Sequence, residues 1–144
     1  MVESRPIKSI EHAYTFGLSR AMSDEKTTID ELKRLVEQFV HDRDWHQFHT
    51  PKNLSMALAI EAAELMEHFQ WLDLEQSRAV ARDADKRGAV GEELADVVCY
   101  ALAMANALGI DVSDALRDKM TKNALKYPAD EYRGRWGAED RPGN

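Results

Sequence analysis

A single cysteine, Cys99, removes any internal disulfide framework from this chain. It stands between Val98 and Tyr100 in the most apolar stretch, and it reads as a small buried hydrophobe rather than a nucleophile. Only four prolines and seven glycines interrupt 144 residues, and no low-complexity segment or internal repeat is present. No apolar run approaches the roughly 18 residues that a membrane span requires. The longest, Val97 to Leu108, is broken by Asn106. Arg5, Lys8 and Glu11 break up any signal-peptide core, so a cytoplasmic location is the expectation. The formal charge is −7, with no basic block. That balance argues against a surface built for a nucleic-acid backbone, while leaving room for one small polyanion neutralised by metal.

What the chain does have is helical periodicity, and no alternating strand pattern competes with it. Thr28-Ile-Asp-Glu31 reads as a capping box, followed by Ile29, Leu32, Val36, Phe39 and Val40 at helical spacing, with an end near Asp44. Pro51 fits the first turn of a second helix capped by Thr50 and running to about Phe69. A polar connection or short helix is expected over about 73–86. A third helix is expected from about Arg87 to Leu108, with Gly109 as its C′ residue. A fourth starts near Asp111 or Ser113 and stops before Pro128. The prediction is an all-α domain over residues 28–130. It lies between a weakly patterned N-terminal extension (1–27) and a loose C-terminal tail (131–144).

Two short acidic motifs stand out, Glu61-Ala-Ala-Glu64 and Glu93-Leu-Ala-Asp96. A helix turns about 100° per residue, so each pair of carboxylates lies on one face about a turn apart. Glu61 falls between Leu58 and Leu65 of one apolar stripe, and Glu93 between Val90 and Val97 of another. A lone carboxylate at a core position is costly. Two such faces meeting would also repel by roughly 3 kcal/mol per pair, at about 5 Å and an effective dielectric of about 20. A cation in the middle relieves both costs; the plainer alternative is a set of salt bridges to Lys or Arg. Di-iron bundles place a histidine three residues after a ligating glutamate. Here those positions are Glu67 and Asp96. An all-oxygen donor set favours Mg²⁺, with Mn²⁺ as a substitute. Glu67 is left as an auxiliary ligand or a surface residue, and Glu92 as exposed.

The ordered series around these motifs resembles the all-α nucleoside triphosphate pyrophosphohydrolases of the MazG type, and within them the dCTP pyrophosphatase branch. The likeness rests on Arg43-Asp-Trp45-x-x-Phe48-His49-x-Pro51-x-Asn53-Leu54, then Glu61-x-x-Glu64 and Phe69-Gln70-Trp71. It continues through Glu92-Glu93-Leu-x-Asp96-Val97 and Tyr100, and ends in Lys119-Met120-x-x-Asn123-x-x-x-Tyr127-Pro128. The resemblance implies a four-helix bundle core assembled across a homodimer or homotetramer. It implies cleavage of a nucleoside triphosphate between the α and β phosphates, giving monophosphate and pyrophosphate, with dCTP the expected substrate and nucleotide-pool housekeeping the expected role. By the same resemblance Glu61, Glu64, Glu93 and Asp96 are the catalytic metal-binding set, and either Glu61 or Glu64 accepts the proton of the attacking water. Trp45 and Trp71 are placed against the base, with His49 and Asn53 at the base or sugar end. Tyr100, Lys119 and Asn123 are placed near the sugar and phosphates. Unaided by the resemblance, Lys119 is a surface lysine. His41, His46 and His68 carry no assigned role. The competing expectation is a non-enzymatic helical dimer that binds a nucleotide or a protein partner.

Overall fold

The computed structural model describes residues 22–135; the expectations for residues 1–21 and 136–144 lie outside the described part. Every regular element in it is helical. Helix α1 (Ile29–His41) is followed by α2 (Pro51–Glu67), the short α3 (Leu74–Ala79) and a single 3₁₀ turn (Val80–Arg82). Then come the long α4 (Ala84–Leu108), α5 (Val112–Lys126) and the one-turn α6 (Ala129–Tyr132).

Local sequence explains where the helices begin. Thr28 Oγ1 accepts from the Glu31 N–H, and the Glu31 carboxylate accepts from the Thr28 N–H at 2.7 Å, completing the capping box of α1. Thr50 caps α2 by accepting from the Asn53 N–H, with Pro51 in the first turn. Asp83 caps α4 through the Lys86 N–H, and that bond holds the Asp83 carboxyl below its ordinary range. Asp111 caps α5 through the Asp114 N–H at 2.9 Å.

Ends diverge more from the expectations. Helix α1 stops three residues before Asp44, α2 two residues before Phe69, and α4 starts three residues before Arg87. The early start of α4 follows from its cap: Asp83 offers a free carboxylate just after the 3₁₀ turn, and Arg87 does not. At its other end Gly109 takes φ +62°, with its N–H on Asn106 O and the Ile110 N–H on Ala105 O. That is a Schellman closure, which favours glycine at the left-handed position. After Pro128 the chain makes the short turn α6, with Tyr127 packed edge-on against Tyr132 at 5.2 Å.

Helix α4 packs chiefly along α2 and secondarily on α1. Side chains buried here include Leu54, whose surface is 2 % exposed, with Val40, Leu102, Ala103 and Ala105; Val80, in the 3₁₀ turn, is buried as well. Asn106 Nδ2 donates to Lys33 O and Lys33 Nζ to Ile110 O, each at 2.9 Å, tying α1 to the far end of α4. Helix α5 leaves α4 at 104° and packs extensively on no other described helix. No single described helix is long and apolar enough to cross a membrane. The all-α expectation holds.

Candidate metal centre and its surroundings

The α2–α4 contact decides where the two acidic motifs sit relative to each other. Along α2 the half-buried positions are Ala57, Leu58, Glu61 and Leu65; along α4 they include Val90, Glu93, Val97 and Tyr100. Glu61 and Glu93 thus sit inside the packed stripes, while Glu64 and Asp96, three residues on, sit at their solvent edge. One carboxylate oxygen from each of Glu61, Glu64 and Glu93 lies within 4.8 Å of the other two. Asp96 lies outside that trio, yet its charge still reaches Glu61. The Glu61 carboxyl is held above the ordinary glutamate range, first by burial and then by Glu64, Asp96 and Glu93.

Among the described residues, no Lys, Arg or His makes an ion pair with any of these four carboxylates. The salt-bridge alternative therefore lacks its cations there. A hard divalent ion fits the donor set better. Around Mg²⁺ at about 2.1 Å, neighbouring and opposite ligand oxygens stand roughly 2.9–4.2 Å apart. Carboxylates whose oxygens already lie within 4.8 Å reach that spacing with small rotamer changes. Glu67 and Glu92 are exposed, and neither belongs to the trio.

Two α4 side chains beside the cluster respond to it. The Tyr100 hydroxyl is pushed above its ordinary range by burial, then by Glu61, Cys99 and Asp96, so it stays a hydrogen-bond donor at neutral pH. Burial, then Asp96 and Glu61, push the Cys99 thiol up as well. That leaves it protonated and a poor nucleophile, although it is half-buried rather than fully inside.

The turn between α1 and α2 carries the aromatic residues singled out by the sequence. Asp44 takes φ +52°, and the Trp45 N–H closes back onto Val40 O at 3.0 Å. The Trp45 ring stands edge-on to Phe39 at 5.8 Å and tilted beside His49 at 6.3 Å. The Arg43 guanidinium covers the Phe39 ring at 3.6 Å and donates to Phe39 O. Burial is the main reason the His49 imidazole titrates below its ordinary value, with His46 adding to the effect and Glu37 opposing it. Asn53 Nδ2 donates to Phe48 O at 3.0 Å, fixing the turn to the start of α2. From Asn53 to Glu61 is eight residues of helix, a rise of about 12 Å.

Not every expected site residue is drawn in. Trp71, in the turn after α2, is 86 % exposed. Lys119 is exposed and Asn123 half-exposed on α5, away from the α2–α4 contact. The sequence reading also passed over His46, whose Nε2 lies 2.6 Å from Glu37 Oε1. A pair nine residues apart across a turn leaves no helical-spacing signal.

Comparisons with known proteins agree with this architecture. A family model described as the MazG-like family matches residues 56–137. The dCTP pyrophosphatase 1 proteins of Bos taurus and Mus musculus are each 39% identical over 107 residues, covering 74% of this chain and 63% of the relative. The Homo sapiens protein of the same name is 39% identical over 102 residues, covering 71% of this chain and 60% of its own length. The chain thus spans about three-fifths of the length of these curated relatives. The crystal structure of a pyrophosphatase from Archaeoglobus fulgidus superposes with a TM-score of 0.66 at 36% identity, covering 75% of this chain and 99% of that one. With the helical order, the paired acidic motifs and these matches in agreement, the chain belongs to the MazG-like family.

Proposed function

We propose that this chain is a divalent-metal-dependent nucleoside triphosphate pyrophosphohydrolase that splits deoxynucleoside triphosphates between the α and β phosphates, with dCTP preferred. One observation carries the reading: the Glu61–Glu64–Glu93 cluster has no neutralising side chain among the described residues. It occurs in a family member whose curated relatives are named dCTP pyrophosphatase.

In this reading Glu61, Glu64, Glu93 and Asp96 hold Mg²⁺, with Mn²⁺ as substitute. Bound there, the ion supplies charge neutralisation for the triphosphate and Lewis-acid polarisation at phosphorus. The chain does the rest. Glu61 or Glu64 takes the proton of the attacking water as its oxygen bonds to the α-phosphorus. The bond from that phosphorus to the bridging oxygen breaks, and pyrophosphate leaves. Trp45 and Trp71 offer faces for the base, and His49, neutral at pH 7, and Asn53 offer polar contacts to base or sugar. Tyr100 donates from its hydroxyl, while Lys119 and Asn123, one turn apart on α5, reach phosphate oxygens together.

Homo-oligomerisation, as dimer or tetramer, is part of the same proposal. Helix α5 exposes Leu116, Met120 and Leu125, and α2 exposes Met56, Ile60 and Met66. Apolar side chains along two helices are what an association surface looks like. A second copy is also the natural way to bring Lys119 and Asn123 to an acidic cluster. Residues 28–130 form the catalytic domain in this scheme. The decisive experiment is pyrophosphate release across a panel of normal and modified nucleoside triphosphates, with and without Mg²⁺. Release from dCTP only with Mg²⁺ supports the reading; no release from any nucleotide refutes it.

A further inference from the structure

Glu37 lies on α1 one turn before His41, and the chain returns to it after the turn that follows the helix. His46 Nε2 stands 2.6 Å from Glu37 Oε1, each side chain 49 % exposed. An ionised carboxylate only accepts, so Nε2 carries the hydrogen and donates it. The His41 ring stands 6.0 Å from the His46 ring. His46 is flanked by Trp45 and, three residues on, by His49, the two side chains that stand together at 6.3 Å. The His49 N–H bonds to the carbonyls of both Trp45 and His46, so a displacement of residue 46 is passed directly to residue 49. The backbone at Asp44 takes φ +52°, a left-handed conformation that aspartate tolerates better than most residues, and the Trp45 N–H on Val40 O closes the turn beside it.

We propose that Glu37 and His46 are positioning residues: their hydrogen bond holds the 42–50 turn against α1 and thereby sets where Trp45 and His49 stand. The assignment rests on the pyrophosphohydrolase reading, in which those two side chains face the base and sugar. It deepens that reading by adding a pair that touches no substrate. The electrical influence of Glu37 and His46 on His49 agrees with the geometry.

The test uses the full chain with dCTP and Mg²⁺. Exposed polar pairs are weak, so Glu37→Ala and His46→Ala each raise KM about two- to fivefold and leave kcat within about twofold. His46→Glu alone sets two carboxylates together and raises KM further. Adding Glu37→His to it reverses the pair and returns KM towards wild type. Unchanged KM in the alanine variants, an equal loss in kcat, or no recovery in the reversed pair overturns the proposal. Amide hydrogen exchange at residues 45–49 supplies a reading independent of turnover. It quickens in Glu37→Ala and returns in the reversed pair, and unaltered exchange also overturns the proposal. If the wild-type chain releases no pyrophosphate from any nucleotide, the enzymatic reading fails, while exchange still decides whether the pair holds the turn.

Discussion

Glu61 occupies a place in the α2 stripe, between Leu58 and Leu65, that packing alone would give to another apolar residue. Burial and three neighbouring carboxylates make its ionised form costly in the metal-free chain. Because its folded-state pKa is raised, the stability tied to its protonation is present below the ordinary glutamate value of 4.5. That stability is lost as pH rises through the higher folded value. Metal-free protein is therefore expected to lose melting temperature over that window, and Glu61→Gln to flatten the slope, as thermal scans in chelator would show. Millimolar Mg²⁺ should reverse the loss at neutral pH. At tenfold over its dissociation constant, binding to the folded state alone adds about 1.4 kcal/mol. Glu61→Gln and Glu93→Gln should each abolish that gain and cut pyrophosphate release by about 10²–10⁴-fold, read in a coupled pyrophosphate assay. Variants that remain folded and fully active would remove these carboxylates from the mechanism.

Among the elements, α4 carries most of the architecture. Its cap at Asp83 and its Schellman closure at Gly109 fix both ends, and it contributes Leu102, Ala103 and Ala105 to the buried seam with Leu54 of α2. Leu54→Ala leaves a cavity in that seam and is expected to cost about 2–5 kcal/mol in urea unfolding. Gly109→Ala forces a β-carbon into the left-handed region and should cost about 1–2 kcal/mol by the same measurement. The caps of α1 and α2 were legible in the sequence, because Thr28 and Thr50 act on amides only three residues away. Helix ends were less so. Where α1 gives way depends on the turn that follows, and its closure by the Trp45 N–H on Val40 O belongs to no periodic pattern. The Glu37–His46 pair was invisible for the same reason: it joins a helix to a turn, and its spacing is set by the left-handed Asp44.

Among the described residues, few large side chains are buried and many apolar ones lie in the open. Leu116 and Met120, four residues apart, are exposed on one face of a helix with little support from the others. If a second copy covers this face, Leu116→Glu or Met120→Glu should shift the assembly to a smaller species in light scattering. The same variants should raise KM for nucleotide, because Lys119 and Asn123 share the helix. An unchanged mass in both would assign the face elsewhere. The sequence by itself determined the helical class, the order of the helices and the two acidic pairs. Periodicity, capping and i,i+3 spacing are local properties, readable within one or two turns. Only the tertiary structure decided which carboxylates converge. The packing of α4 against α2 brings Glu61, Glu64 and Glu93 within reach of one ion and leaves Asp96 at the edge. That selection depends on how two helices separated by a turn, α3 and a 3₁₀ turn rotate against each other, which no single segment encodes.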